Sequence, residues 1–182
     1  AFVCAALAMA QWEGRPRAEK GPRPPARPST LFDRFEGEAF HFAEFEEQLI
    51  LTDGEQSLLF ADGDLAPANL ARLFAKPGMV AVEFATPIHA ENLKVCAAAA
   101  NLRGISVRGA KFPAESWAAL AASKSLEELQ IESFAFGEIE LAAIARVLPL
   151  KVLAYSPAHV SDAALESFRR YRPDVVLVAL CE

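Results

Sequence analysis

Apolar residues recur along most of this chain with a period of 23–24 residues. Between residues 57 and 182, each period contains two apolar residues separated by one position, the spacing of one face of a β-strand. The pairs are Leu59/Ala61, Val82/Phe84, Ile105/Val107, Leu129/Ile131, Leu153/Tyr155 and Leu177/Ala179. A further apolar residue stands three positions before several pairs, at Met79, Leu102, Leu126 and Leu150. The pattern predicts six short strands with equivalent positions.

Each of the first five strands is followed by apolar residues with helical spacing, which line one helix face. These sets are Leu70/Leu73/Phe74, Leu93/Cys96/Ala97, Trp117/Leu120/Ala121, Leu141/Ile144/Ala145 and Leu165/Phe168. One strand and one helix in 23–24 residues is less chain than an ordinary βαβ unit, which needs about 30. We therefore expect a solenoid, in which each unit completes its core by packing on its neighbours.

The segments "LEELQI" and "LKVLAY" share the order L-x-x-L-x-apolar, and "LKVLAYSPAHVSDAALESF" extends it through a loop into a helix. Residues 57–182 thereby resemble the leucine-rich repeat family, in particular its helix-containing, ribonuclease-inhibitor-like and bacterial members. The resemblance implies an α/β fold, a right-handed solenoid of about five strand–helix repeats. The sequence departs from the family at a position usually held by Asn, Cys or Thr, which here contains Pro87, Ala110, Phe134 and Ala158.

Three segments of different composition precede the repeats. Residues 1–12 begin with ten uncharged residues, which fit the tail of a signal peptide or a truncated membrane anchor. Either interpretation implies an exported or membrane-anchored protein. Residues 13–28 are rich in Pro and Arg and predict an extended linker. Residues 29–56 predict an N-terminal capping unit with a hairpin at Asp53–Gly54, covering the first repeat with Phe32, Phe35, Phe40, Phe42 and Phe45.

Charge and cysteine content exclude some classes of function. The chain has a net charge of −6, but residues 11–30 contain five basic and two acidic residues, so the remainder carries −9. This acidity argues against nucleic-acid binding, which needs a basic face. Cys4, Cys96 and Cys181 are odd in number and lack a CxxC pair, so we predict neither a disulfide framework nor a zinc site.

Motifs for catalysis are absent from the sequence. It contains neither a P-loop nor a G-x-S-x-G elbow. The histidines are His41, His89 and His159; the last two fall three repeats apart, roughly 14 Å at the strand spacing of a sheet, too far to share a metal ion. We expect no enzymatic activity, no cofactor and no metal site.

The candidate binding residues are the strand side chains that alternate away from the core. In the middle repeats these are polar, and we expect them to be exposed on a concave face: Glu83, Arg108, Glu128, Gln130 and Glu132. Arg108 falls between Glu83 and Glu132 on neighbouring strands. These charges form either a cross-strand network or a recognition patch for a peptide or protein that carries Arg or Lys.

The last repeat places apolar residues on the same face, at Val176, Val178 and Leu180. An exposed apolar edge strand is a template for association. We therefore expect that the natural protein continues past this point or that two copies form a homodimer through this strand.

A non-catalytic scaffold that presents a concave parallel sheet to a protein partner is the function this pattern favours. Two alternatives remain, a structural repeat protein that associates with itself and a substrate-recognition part of a larger enzyme complex. A likeness to a repeat family does not identify the ligand.

Overall fold

The computed structural model describes residues 28–35, 40–45, 48–61, 65–85, 91–108, 114–132 and 137–180. Within them the chain forms an α/β fold of eight strands and six α-helices. The interpretations of residues 1–12 and 13–27, and those of Cys4, His89 and Cys181, fall outside the described residues.

The strands are β1 (His41–Phe45), β2 (Gln48–Thr52), β3 (Ser57–Ala61), β4 (Met79–Phe84), β5 (Gly104–Arg108), β6 (Glu128–Glu132), β7 (Val152–Tyr155) and β8 (Val176–Ala179). The helices are α1 (Leu31–Arg34), α2 (Pro67–Phe74), α3 (Glu91–Ala98), α4 (Ala114–Ala119), α5 (Glu138–Ile144) and α6 (Asp162–Tyr171). Short 3₁₀ turns span Leu120–Ala122 and Pro157–His159.

All eight strands lie in one sheet in the order of the sequence. The pairs β1–β2 and β2–β3 are antiparallel, whereas β3 to β8 are parallel, so the sheet is mixed. The register follows the sequence period, since Ile105 pairs with Val82 on one side and with Leu129 on the other. This part of the strand prediction is confirmed.

The main core lies between one face of the sheet and helices α2 to α6. The predicted strand pairs and helix faces supply it, and Trp117 is its largest fully buried side chain. Burial of each such large apolar side chain stabilises the fold by about 1.5–3 kcal/mol. The exceptions are Ala121 and Ala145 of the helix faces, which are half-buried, and two residues of the edge strand β8, where Leu177 is half-buried and Ala179 is exposed.

The hairpin predicted at Asp53–Gly54 connects β2 to β3. Gly54 has a φ of +95°, a conformation that glycine adopts without steric cost. The Asp53 carboxylate accepts hydrogen bonds from the backbone N–H groups of Glu55 and Gln56 at 2.8 and 2.7 Å. These bonds fix the turn and so the register of the two strands.

The predicted aromatic cover is divided between two places, and the Phe45 side chain falls outside the described part of the structure. Phe32 and Phe35 pack with Leu58 and Ala81 on the sheet face opposite the main core. Phe42 is 52% exposed and contacts Phe60 at a ring-centroid distance of 6.0 Å. Phe42 therefore contacts the strand of the first repeat but stays partly exposed, because it lies on the edge strand β1.

Helix α6 begins with a side-chain cap. The Ser161 hydroxyl accepts a hydrogen bond from the Ala164 backbone N–H at 3.2 Å. Replacing Ser161 with alanine is expected to lower the free energy of unfolding by about 0.5–2 kcal/mol, because this N–H then loses its partner. Urea denaturation checks the loss, and Ser161→Asp, which restores an acceptor, is expected to recover most of it.

No helix in the described part of the chain is long and apolar enough to cross a membrane.

Candidate functional site

The candidate site lies on the sheet face opposite the main core, which we call the second face. Because the parallel strands are in register, equivalent residues form two rows across it. One row contains Leu58, Ala81, Gly104, Glu128, Val152 and Val176, and the other contains Phe60, Glu83, Ser106, Gln130, Ala154 and Val178. The first row contains one polar side chain, Glu128, and the second contains three, Glu83, Ser106 and Gln130.

Helix α1 lies against this face although it is 97 residues away in sequence from Glu128 of β6, which it contacts. The Leu31 backbone N–H donates to Glu128 Oε2 at 2.5 Å. The turn is closed by a capping box, in which the Asp33 N–H donates to Thr30 Oγ1 at 3.1 Å and the Thr30 N–H donates to Asp33 Oδ2 at 2.7 Å. Phe32 and Phe35 then pack beside Leu58 and Ala81 in the second apolar cluster, so part of the second face is covered.

Gly104 provides the space for this contact. A Cβ atom there would lie 2.6 Å from Leu31 Cδ2 and 3.3 Å from the Phe32 ring. Both distances are shorter than ordinary van der Waals contacts. The absence of a side chain in β5 therefore lets α1 approach the sheet closely.

The carboxyl ends of β4, β5 and β6 carry a cluster of charges. Arg108 Nε lies 3.4 Å from Glu83 Oε1 and 3.4 Å from Glu132 Oε2. The Gln130 amide donates to Glu132 Oε1. The Arg108 side chain is 48% exposed, so water screens these ion pairs and each contributes little to stability. A charged side chain thus remains accessible beside partly buried carboxylates.

The expectation that all five polar residues are exposed is wrong for three of them. Glu83, Glu128 and Gln130 are buried, Glu132 is half-buried and Arg108 is exposed. Strand alternation predicts which face a side chain occupies but not what lies over that face. Here α1 lies over Glu128, and Glu83 and Gln130 stand within a row, with residues of neighbouring strands on both sides.

The expected apolar edge is also only partly exposed. Val176 is 44% exposed and Leu180 is half-buried. Val178 is only 2% exposed, so its expected exposure is wrong. Val178 lies in the row that contains Phe60 and Ala154, beside Ala154 of β7. Val176 lies in the row that contains Leu58 and Val152, nearer the amino ends of the strands.

Two polar atoms of this face have no hydrogen-bond partner within the described residues. They are Ser106 Oγ and Glu128 Oε1, and both are buried. Burial raises the pKa of Glu128, an effect opposed by the backbone N–H groups of Leu31 and Phe32. Unpaired buried polar atoms are costly and are uncommon in folded proteins, so this face retains unused hydrogen-bonding capacity.

Burial also raises the pKa of Glu83, and the nearby Arg108 only partly offsets this effect. From an ordinary glutamate pKa of about 4.3 up to the raised value, the folded state holds more protons than the unfolded state. The contribution of Glu83 to stability therefore falls as the pH rises through that window. We expect Glu83→Gln to gain stability relative to the wild type as the pH rises above about 4.3, measured by urea denaturation at a series of pH values. A stability difference that does not change with pH would contradict this expectation.

The described residues contain no group of three or more His, Cys, Asp or Glu side chains that could hold a metal ion. His41 is exposed on β1. Cys96 is buried in the main core, and its burial raises the pKa of the thiol well above its ordinary range. This placement agrees with the position of Cys96 in the apolar helix-face set Leu93/Cys96/Ala97.

No protein-family model matches the chain, and no curated protein matches its sequence. The resemblance to leucine-rich repeats therefore stays a prediction, based on the residues that carry it.

Sequence reasoning missed the contact between α1 and Glu128. One signal was present, because Thr30 and Asp33 have the spacing of a capping box and mark the start of a helical turn. Nothing in the sequence indicates that Leu31 contacts a residue 97 positions later.

Proposed function

We propose that this protein is a non-catalytic binding scaffold of the leucine-rich-repeat type, which presents the second face of its sheet to a protein partner. The observation that carries the proposal is the charge cluster of Glu83, Arg108 and Glu132. A face that only packed against the rest of the chain would favour apolar residues at such positions. An accessible guanidinium beside partly buried carboxylates is instead the type of group that gives an interface its specificity.

A solenoid is the arrangement that we propose for residues 57–182. It is supported by the sequential strand order and by one helix after each of β3 to β7. The α-helices from α2 to α6 contact one another in order. Contacts restricted to neighbouring units are typical of repeat proteins. The second face then corresponds to the concave surface.

A partner that carries Arg or Lys fits the charge of this face. Glu83 and Glu132 supply two carboxylates at the carboxyl ends of the strands, whereas Arg108 supplies one positive charge. We further propose that the protein is exported or membrane-anchored, which is supported by the uncharged composition of the first ten residues. We propose no cofactor and no nucleic-acid partner.

The proposal is tested by reversing one accessible charge. Glu132→Lys replaces a carboxylate beside Arg108 with a positive charge. The contact of α1 with Glu128 is left in place. Glu166→Lys on the exposed side of α6 is the matched control. Purified wild type and both variants are used to capture proteins from the native host, followed by quantitative mass spectrometry. We expect a partner whose affinity falls about ten-fold or more with Glu132→Lys and stays unchanged with the control.

If no captured protein distinguishes Glu132→Lys from the control, the charge cluster is not a binding surface. Circular dichroism and thermal unfolding of both variants ensure that a loss of binding does not result from unfolding.

A second candidate function is self-association through β8. This strand is the last one of the described sheet, and Val176 on it is 44% exposed. A homodimer through β8 would pair this edge and cover Val176. Light scattering at several concentrations tests it, because a dimer should dissociate in Val176→Lys. A protein that is monomeric at every concentration contradicts this candidate.

A further inference from the structure

We infer that residues 30–35 are a built-in ligand of the second face, which an aromatic segment of a partner must displace. This inference rests on the proposed function, since it specifies how the same face is occupied and what kind of segment competes for it. We call the residues of the second face that this segment contacts the seat; they are Leu58, Ala81, Gly104 and Glu128.

The contacts in the seat are of the kind that proteins use to bind peptides. One backbone N–H, that of Leu31, is accepted by the Glu128 carboxylate. Two aromatic side chains, Phe32 and Phe35, are buried with Leu58 and Ala81. Buried aromatic anchors combined with a backbone hydrogen bond are typical of peptide recognition.

The docked segment has features of a replaceable ligand. Helix α1 has only four residues, far fewer than an isolated helix needs for stability. Its conformation therefore depends on its own capping box and on the seat. The segment also belongs to the second apolar cluster and not to the main core. Its release would leave the interface between the sheet and helices α2 to α6 intact.

The fit between this segment and the seat is incomplete. Glu128 Oε1 is buried and accepts no hydrogen bond within the described part of the chain. A competing segment that donates to both carboxylate oxygens would satisfy this atom. It would thereby gain a charge-assisted hydrogen bond that residues 30–35 do not make.

The surroundings of Glu128 specify the chemistry of this donor. A cavity of about 270 Å³ adjoins α1 and is lined in part by Arg34, Arg103, Glu127 and Lys151 as well as by Glu128. Lys151 pairs with Glu127 at 2.7 Å. The guanidinium groups of Arg34 and Arg103 disfavour a further basic group at this end of the face. The partner segment is therefore a short helical turn with aromatic residues at its first and fourth positions, like Phe32 and Phe35, and with an uncharged donor for Glu128.

The inference is tested with a fluorescein-labelled peptide of residues 28–37 and the 182-residue chain. Phe32→Ala/Phe35→Ala weakens the built-in ligand and leaves the seat unchanged. Fluorescence anisotropy should show at least about ten-fold tighter peptide binding by this variant than by the wild type, because the attached segment competes at a high effective concentration. Two controls should show no binding. In the first, the peptide is mixed with the Phe32→Ala/Phe35→Ala variant that also carries Gly104→Val. In the second, the Phe32→Ala/Phe35→Ala variant is mixed with a peptide in which both phenylalanines are replaced by alanine.

Equal binding of the peptide by wild type and variant, or no binding by a folded variant, overturns the inference. Gly104→Val alone provides a second measurement that leaves both phenylalanines in place. Its side chain would occupy the space taken by Leu31 and Phe32, so hydrogen exchange at residues 31–35 should become faster while β4 to β7 remain protected. Unchanged exchange at residues 31–35 also overturns the inference.

The two proposals fail in different ways. A partner that responds to Glu132→Lys but binds the wild type and Phe32→Ala/Phe35→Ala equally well leaves the proposed function standing and overturns the built-in ligand. Peptide binding as expected, without any partner that responds to Glu132→Lys, supports the built-in ligand and contradicts the proposed use of the charge cluster.

Discussion

Replacing Leu129 with alanine is expected to lower the free energy of unfolding by about 2–5 kcal/mol. Leu129 has no exposed surface and lies in β6 between Ile105 of β5 and Leu153 of β7. The substitution leaves a cavity where the leucine side chain was. The neighbours of Leu129 belong to a sheet on one side and to helices on the other, so they cannot fill this cavity unless whole elements move. The lost contacts add to the lost burial of the side chain.

Urea denaturation followed by circular dichroism measures this loss. Leu148→Ala is the matched control because Leu148 is 81% exposed, and its replacement should change stability by less than about 0.5 kcal/mol. If both variants unfold at the same urea concentration, Leu129 is not a central core residue and the register of β5, β6 and β7 is wrong.

The sheet and its main core could be predicted because their residues carry two clear periods. Alternation over two positions marks Ile105/Val107 and Leu129/Ile131 as strand pairs, and helical spacing marks Leu141/Ile144. The constant distance between successive pairs then predicts which residues lie side by side. These signals are local, and they repeat, so each unit supports the interpretation of the next.

The cover on the second face could not be predicted in the same way. Helix α1 is one turn long, too short for a periodic pattern, and it contacts Glu128 across 97 residues of sequence. Gly104 is informative only in retrospect, since a glycine in a strand indicates a close approach without identifying the approaching group. The burial of Glu128 was missed for this reason.

The role of Arg172 was missed as well, although it follows directly after α6. Arg172 is 9% exposed, which is unusual for a charged residue. Its guanidinium donates to the carbonyls of Ala145 and Val147 at 3.1 and 2.8 Å and to that of Leu150 at 2.8 Å. Asp174 accepts from the same group at 2.9 Å. The sequence shows an arginine in a turn, whereas its acceptors are backbone atoms that no sequence pattern identifies.

These bonds fasten the end of α5 to the turn that leads into β7. The carbonyls at the carboxyl end of a helix lack intrahelical donors, and a positive charge there also interacts favourably with the helix dipole. One side chain thus satisfies several carbonyls and holds two successive strand–helix units together. Water cannot easily replace it, because the Nη1 bond to Val147 and the Nη2 bond to Leu150 are both buried.

Arg172→Met is therefore expected to lower the free energy of unfolding by about 2–4 kcal/mol, since it keeps the length of the side chain but leaves buried carbonyls without donors. Arg172→Lys should recover only part of the loss, because one ammonium cannot reproduce the forked geometry of the guanidinium. Asp174→Asn is the control, with a much smaller effect expected because the Asp174 side chain is 62% exposed. Urea denaturation measures all three variants, and an Arg172→Met protein as stable as Asp174→Asn would show that these carbonyls do not depend on Arg172.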